Sequence, residues 1–238
     1  MKLSFFVLIT LLSQQAFAWS WSDFKQEAAS PVTDKTARKI LFVGTTLTVA
    51  SIIFEEELDR SHDKVVDKKP LGDFSLYGDM AGQLIPNVAY VLGQSLAHWN
   101  GNERASTRAM GMFKATAYAA SVATVLKYTI REPRPNEHKD KNSFPSGHST
   151  TAFAFGGYVM AEHGWKWGVP ALALATLTGA SRVNDNRHRV HDVLAGTTIG
   201  LAYAFGIAGL QDTKTVSQYQ VIPLYDADVK GLAVTYNY

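Results

Sequence analysis

Three short polar clusters, each at the end of an apolar run, organise the middle of this 238-residue chain. They are KYTIREPRP (Lys127–Pro135), FPSGH (Phe144–His148) and SRVNDNRHRVHD (Ser181–Asp192). The run before the first cluster, Arg104–Ile130, is rich in residues of high helix propensity, which favours a long helix. The pattern therefore predicts a helical body in which the three clusters contribute to one polar site.

The clusters together contain three cations, Lys127, Arg134 and Arg182, and a helix start at Ser146 and Gly147. A helix N-terminus presents unpaired backbone N–H groups and a partial positive charge. An arginine side chain presents a planar fork that matches two oxygens of one phosphate group. The sequence therefore predicts a binding site for a tetrahedral oxyanion, and phosphate is the expected ligand.

Two histidines, His148 and His188, lie in the same clusters. One imidazole can attack phosphorus while the other protonates the departing oxygen, because histidine changes its charge near neutral pH. Taken singly, a histidine beside an apolar helix is more often a structural residue, and an arginine is more often a surface ion-pair partner. Their joint occurrence in one stretch favours a phosphate site over these separate explanations.

The spacing of the clusters resembles the tripartite signature of the type 2 phosphatidic acid phosphatase and vanadium haloperoxidase superfamily. Eleven positions fit in order. They are Lys127, Arg134, Pro135, Pro145, Ser146, Gly147, His148, Ser181, Arg182, His188 and Asp192. The resemblance implies an all-α fold, a bundle of about six core helices, and it covers only the middle of the chain.

The resemblance also implies a role for each site residue. His188 matches the nucleophile that forms a phosphohistidine, and His148 matches the general acid that later activates water. Asp192 matches the acid that orients the nucleophile. The implied phosphate ligands are Lys127, Arg134, Ser146, Gly147 and Arg182. Three fixed cations can replace a metal ion in phosphoryl transfer, so no cofactor is expected, and vanadate is expected to inhibit as a phosphate mimic.

The ends of the chain predict an exported protein with three parts. Residues 1–18 combine Lys2, an apolar run and Ala16-Phe17-Ala18, which is the pattern of a cleaved signal peptide. Residues 19–212 form the predicted helical domain. Residues 213–238 form a tail whose short aromatic segments indicate a β-hairpin.

Six apolar helices are expected within the domain, and the charge-dense stretch 59–73 is expected to be a surface connection. The helices are predicted to start near Ile40, Met80, Arg104, Ser146, Gly168 and His188. The second is expected to be kinked, and the last to carry His188 and Asp192 one turn apart. The mean hydropathy of −0.06 favours an exported domain at the cell envelope, with integration into the membrane as the alternative.

Composition limits the partners further. A formal net charge of +2 gives no reason to expect nucleic acid, and the absence of cysteine excludes disulfides and thiolate metal sites. The expected substrate is a phosphorylated lipid or a small phosphoester, at a membrane surface or in a bilayer. A vanadate-dependent haloperoxidase and a non-enzymatic envelope scaffold are the competing hypotheses.

Overall fold

The computed structural model describes residues 20–136, 139–216, 219–225 and 230–236. Within these ranges the chain forms nine helices and two strands. The helices are α1 (Trp21–Thr33), α2 (Lys35–Ile53), α3 (Glu55–Lys68), α4 (Phe74–Gly82), α5 (Ile85–Trp99), α6 (Glu103–Ile130), α7 (Gly147–His163), α8 (Trp165–Asn184) and α9 (Val190–Val216). The strands are β1 (Tyr219–Tyr225) and β2 (Lys230–Tyr236).

Helices α6 to α9 run alternately up and down and form the centre of the fold. Helix α7 packs against α6, α8 and α9. At one end of the group, Arg108 near the start of α6 pairs with Glu162 near the end of α7, at 3.1 Å. The opposite end therefore collects the last turn of α6, the first turns of α7 and α9, and the last turn of α8. All three polar clusters lie at this second end.

Glycines allow α9 to lie directly on the first turns of α7. A Cβ atom at Gly196 would lie 2.5 Å from the Ser146 carbonyl oxygen, and one at Gly200 would lie 2.4 Å from that of Thr150. Such distances exclude any side chain, so the two backbones meet here, as small residues permit at helix contacts. The contact continues as a hydrogen bond of 3.0 Å from the Ser146 N–H to the Asp192 carbonyl.

The described part contains nine helices where the sequence analysis expected six apolar ones, and the bundle of about six core helices stays a prediction. Most of the stretch 59–73, expected to be a connection, belongs to α3, which ends at Lys68. Helix α3 has three glutamates in its first turn and Lys68 in its last, which suits the helix dipole. The predicted kinked helix from Met80 is two helices, which separate where Leu84 adopts a left-handed φ of 69°.

The last helix also differs from the prediction, since it begins at Val190 and leaves His188 in the preceding loop. The carboxylate of Asp192 accepts the backbone N–H of Arg189 at 2.9 Å. A side chain that accepts a backbone N–H three residues earlier closes the first turn of a helix and ends its extension toward the N-terminus. The His188 backbone is therefore held by the loop and not by the helix.

Among the described residues, three helices are long and apolar enough to cross a membrane: α2, α6 and residues 190–212 of α9. Large apolar side chains of α2 are exposed, including Phe42 at 75% and Ile53 at 71%. Three exposed tryptophans lie at helix ends away from the site, as in membrane-interface belts: Trp99, Trp165 and Trp167. These features indicate a membrane protein, and they favour the membrane-integral alternative over a soluble exported domain.

The C-terminal strands pair in antiparallel register, with Tyr219 opposite Tyr236 and Tyr225 opposite Lys230. Residues 226–229, which would form the turn of the expected hairpin, lie outside the described residues. The predicted signal peptide at residues 1–18 lies outside them too. Both the hairpin and the cleaved segment therefore stay predictions.

Candidate active site

The N-terminus of α7 is the centre of the site. Ser146 is its N-cap, and the Ser146 hydroxyl accepts hydrogen bonds from the N–H and the hydroxyl of Ser149, at 3.4 and 3.1 Å. A Cβ atom at Gly147 would lie 3.7 Å from Cε of Lys127, so the lysine passes close beside the first helical residue. The backbone N–H groups of a first turn have no intrahelical acceptor. The helix start and Lys127 therefore form one positive surface that suits an anion.

Lys127 and Arg134 are linked by one segment of the loop between α6 and α7. The Lys127 ammonium donates to the carbonyl oxygens of Asn142 and Ser143, at 2.6 and 3.2 Å. The Arg134 Nε–H donates to Oδ1 of Asn142 at 2.7 Å. Because both cations bind the same short segment, their positions relative to the helix start are fixed together.

Arg182 is the most deeply buried of the three cations, with 5% of its surface exposed. Its Nη1 pairs with the carboxylate of Asp79 on α4. Its buried Nε has no hydrogen-bond partner within the described part of the chain. A buried N–H without an acceptor costs free energy, and a charged donor costs more than a neutral one. An anion bound at the start of α7 can supply the missing acceptor.

His188 and Asp192 form a buried pair, although they do not share a helix. Nδ1 of His188 lies 3.3 Å from Oδ2 of Asp192, and the two residues are 2% and 0% exposed. The hydroxyl of Ser143 donates to the same carboxylate oxygen at 2.6 Å. The Arg182 carbonyl accepts the His188 N–H at 3.2 Å, which ties the loop to the end of α8. Nδ1 faces the carboxylate, so Nε2 is the nitrogen available to a substrate.

The surroundings of His188 keep its imidazole neutral. Burial lowers the pKa of His188 to about 4, against the opposing effect of Asp192, and the positive charges of Lys127 and Arg134 lower it further. Above about pH 4 the imidazole of His188 is therefore neutral, with a proton on only one of its two nitrogens. A neutral imidazole whose other nitrogen contacts a carboxylate has the state that nucleophilic attack requires.

His148 differs from His188 in exposure and in partner. Its side chain is 33% exposed, and Nε2 lies 3.4 Å from Oδ1 of Asp79. Burial and the nearby Arg182 lower the pKa of His148, while the Asp79 carboxylate raises it. The site thus contains two histidines in different environments, and the carboxylate that contacts each one comes from a different helix.

A second polar cluster lies beside Asp192. Nε2 of His191 lies 2.9 Å from Oε1 of Glu132 and 3.6 Å from Oδ1 of Asp192, and these three groups could by geometry hold a metal ion. The guanidinium of Arg189 lies 3.3 Å from the same glutamate oxygen. A cation already neutralises Glu132 there, so we interpret the cluster as an ion-pair network that supports the start of α9.

The structure brings the predicted site residues together at one end of the bundle. Three residues that the sequence analysis missed join them: Asn142, Ser143 and Asp79. The first two directly precede the FPSGH cluster, and their polar side chains beside that motif were a signal that could have identified them. Asp79 lies far upstream in a stretch without any signature residue, so only the tertiary packing of α4 identifies it.

Comparisons with known proteins find a matching family model, two relatives and a solved structure. A family model described as the PAP2 superfamily matches residues 108–215. A lipid A 1-phosphatase of Porphyromonas gingivalis is 29% identical over 133 residues, which are 55% of this chain and 30% of that protein. A lipid A 4'-phosphatase of Helicobacter pylori is 34% identical over 87 residues, which are 37% of this chain and 42% of that protein. The chain thus spans less than half the length of either relative.

A solved structure shares the fold. It is the transmembrane PAP2 type phosphatidylglycerolphosphate phosphatase of Bacillus subtilis, with a TM-score of 0.59 at 21% identity. The match covers 78% of this chain and 97% of that one. This chain is therefore similar to the PAP2 superfamily over residues 108–215, the stretch that contains the eleven signature positions, and it shares the fold of a PAP2 type phosphatase.

Proposed function

We propose that this protein is a metal-independent phosphatase that removes a terminal phosphate from a phosphorylated lipid through a phosphohistidine intermediate. The observation that carries the proposal is the buried guanidinium of Arg182, whose Nε lacks an acceptor in the described part of the chain. It accompanies a buried His188–Asp192 pair and an N-terminal helix turn. A purely structural site has no use for a buried guanidinium N–H without an acceptor, whereas a phosphate oxygen satisfies it.

In the first half of the reaction, Nε2 of His188 attacks phosphorus and the bond from phosphorus to the ester oxygen breaks. His148 gives its proton to the departing oxygen, so the alcohol leaves neutral. The Asp192 carboxylate accepts the Nδ1 proton of His188 in a hydrogen bond and stabilises the positive charge that the ring acquires. The cations hold the equatorial oxygens, where charge spreads in the transition state.

In the second half, neutral His148 takes a proton from water, and the oxygen of that water attacks the phosphohistidine. The bond between nitrogen and phosphorus breaks, inorganic phosphate leaves, and His188 returns to its neutral form. No step requires a metal ion, because Lys127, Arg134 and Arg182 carry the charge that a metal neutralises in other phosphoryl-transfer enzymes.

A lipid is the favoured substrate for two reasons. The candidate spanning helices place the chain in a membrane, where lipid phosphates are concentrated. The two relatives named above are a lipid A 1-phosphatase and a lipid A 4'-phosphatase. We further propose that the site faces the periplasm, in line with the signal-like pattern of residues 1–18.

The proposal is tested by a panel of lipid phosphates and soluble phosphate esters, assayed in detergent micelles with and without EDTA. We expect phosphate release from a lipid substrate, unchanged by EDTA and inhibited by vanadate. Release that stops with EDTA and returns with a divalent metal contradicts metal independence. Bromide oxidation by the vanadate-loaded protein, without any phosphate release, would instead support the haloperoxidase hypothesis.

The two histidines predict an acidic pH optimum. His188 must be neutral to attack, so kcat/KM should fall below about pH 4, where burial places its pKa. His148 must be protonated to act as the acid, and its pKa lies below the ordinary value of 6.5. The decline of kcat/KM toward alkaline pH should therefore begin below pH 6.5. The measurement is kcat/KM from pH 3 to 9 on two substrates whose phosphate groups differ in pKa. Limbs that move with the substrate belong to the substrate and contradict this assignment.

A further inference from the structure

Helix α4 lies unusually close to the site because it carries two glycines one turn apart. A Cβ atom at Gly78 would lie 2.8 Å from the Leu177 carbonyl oxygen of α8. One at Gly82 would lie 2.6 Å from Cβ of His148 on α7. The hydroxyl of Thr151 donates to the Gly82 carbonyl at 2.8 Å, which fixes the end of α4 on α7. The backbone of α4 therefore forms a wall of the site.

Asp79 follows the first of these glycines, and its carboxylate bridges two site residues. Oδ1 contacts both Nη1 of Arg182 and, at 3.4 Å, Nε2 of His148. The other oxygen, Oδ2, accepts the side-chain amide of Gln83 at 2.7 Å. This hydrogen bond fixes the rotation of the Asp79 carboxylate. Its Oδ1 is therefore directed at both the Arg182 guanidinium and the His148 imidazole.

The first contact orients the buried guanidinium. Because Nη1 of Arg182 is paired with Asp79, the planar fork cannot turn, and Nε remains as a donor without a protein acceptor. A guanidinium fixed through one nitrogen is prepared to donate from another without further ordering. The ion pair with Asp79 also offsets part of the free-energy cost of removing the charge of Arg182 from solvent.

The second contact acts on the charge of His148. The groups that face its ring are the cations Arg182 of α8, Arg134 of the loop and Lys127 of α6, together with the Asp79 carboxylate of α4. The three cations disfavour a protonated imidazole, and burial disfavours it too. Asp79 is the group that opposes them, so it favours the proton that a general acid has to carry.

We propose that Asp79 is a positioning residue of the phosphatase reaction, which holds Arg182 ready for phosphate and keeps His148 in its acid form. This inference rests on the function proposed above. It adds a carboxylate that serves the general acid, as Asp192 serves the nucleophile, and it places that carboxylate on a helix that contributes none of the signature residues.

The test compares Asp79→Asn with the wild type over the full pH range. We expect the alkaline limb of kcat/KM to move down by about one pH unit, which is a loss of about tenfold on that side, because an adjacent opposite charge shifts a pKa by at least this much. The acid limb, which reports His188, should not move. Asp79→Glu retains the charge and should restore the alkaline limb. Asp73→Asn, an exposed carboxylate just before the same helix, is the matched control and should leave both limbs in place.

A second measurement does not depend on turnover. In protein labelled with ¹³C-histidine, the His148 resonance is assigned by its loss in His148→Gln and then titrated. We expect its pKa to be lower in Asp79→Asn than in the wild type by about one unit. An unchanged His148 titration in a folded variant overturns the inference, even where the wild type is an active phosphatase. A wild type without phosphatase activity contradicts the proposed function, while a shifted titration in that case still supports the contact between Asp79 and His148.

Discussion

Replacement of His188 by Ala is expected to lower kcat for phosphate ester hydrolysis at least about 10⁴-fold, as is usual when the nucleophile of a covalent mechanism is removed. His188 is 2% exposed, and its loss leaves Asp192 without the imidazole. The Asp192 carboxylate still accepts the Ser143 hydroxyl and the Arg189 N–H, so its burial stays compensated and the chain should fold. His188→Gln fills more of the space and is the second variant to measure.

The matched control is His62→Ala, which removes another buried imidazole, 6% exposed on α3, that is not a signature residue. Turnover of the folded control should stay near that of the wild type. Rapid quench in alkaline SDS with ³²P-labelled substrate should trap an acid-labile, base-stable phosphoenzyme in the wild type and none in His188→Ala. If His188→Ala keeps most of the activity, or still forms the phosphoenzyme, His188 is not the nucleophile.

Local sequence patterns anticipated the parts of this fold that local interactions determine. The last turn of α6 ends as predicted, where Arg131 takes a left-handed φ of 56° and Pro133 follows shortly after. The start of α7 agrees with the expected N-cap at Ser146. Both ends depend on residues within a few positions of each other. Because each signature cluster adjoins such an end, the sequence could indicate a common site before any packing was known.

The contacts that escaped prediction depend on packing between distant segments. Asp79 reaches Arg182 and His148 only because the glycines at 78 and 82 let α4 touch α7 and α8. Nothing in the local sequence of α4 indicates that approach. The same reasoning applies to His188, whose spacing of four residues from Asp192 suits one helical turn but is met here by a loop and the first turn of α9.

The mean hydropathy pointed away from a membrane because it averages unlike segments. The charge-dense helix α3 and the polar loop after α6 lower the mean of −0.06, while α2 and α9 are strongly apolar. Segment-wise hydropathy, combined with exposed side chains such as Phe42, gives the better indication, because a membrane contacts single helices and not the chain average.

Replacement of Asp192 by Asn is expected to lower kcat by about 10³- to 10⁴-fold, the size of loss known for the orienting aspartate of serine proteases. Oδ2 of Asp192 faces three groups: Nδ1 of His188, the Ser143 hydroxyl and the Arg189 N–H. An asparagine that places its amide oxygen there still accepts the hydrogen bonds of the Ser143 hydroxyl and the Arg189 N–H. It loses the negative charge that stabilises the imidazolium of His188. One that places its NH₂ there opposes the Arg189 N–H and favours the wrong tautomer of His188. Either orientation impairs the chemical step.

Binding should respond differently from turnover in the same variant, because the three cations that hold phosphate are not altered. The inhibition constant of vanadate for Asp192→Asn should stay within about tenfold of the wild-type value. The substitution removes one charge–charge contact outside the set of three phosphate-binding cations, and this changes binding little. Asp212→Asn, at the solvent-exposed far end of α9, is the matched control and should change neither quantity. If turnover of Asp192→Asn stays near wild type, or if vanadate binding is lost together with turnover, then Asp192 supports the structure of the phosphate-binding site and does not orient the nucleophile.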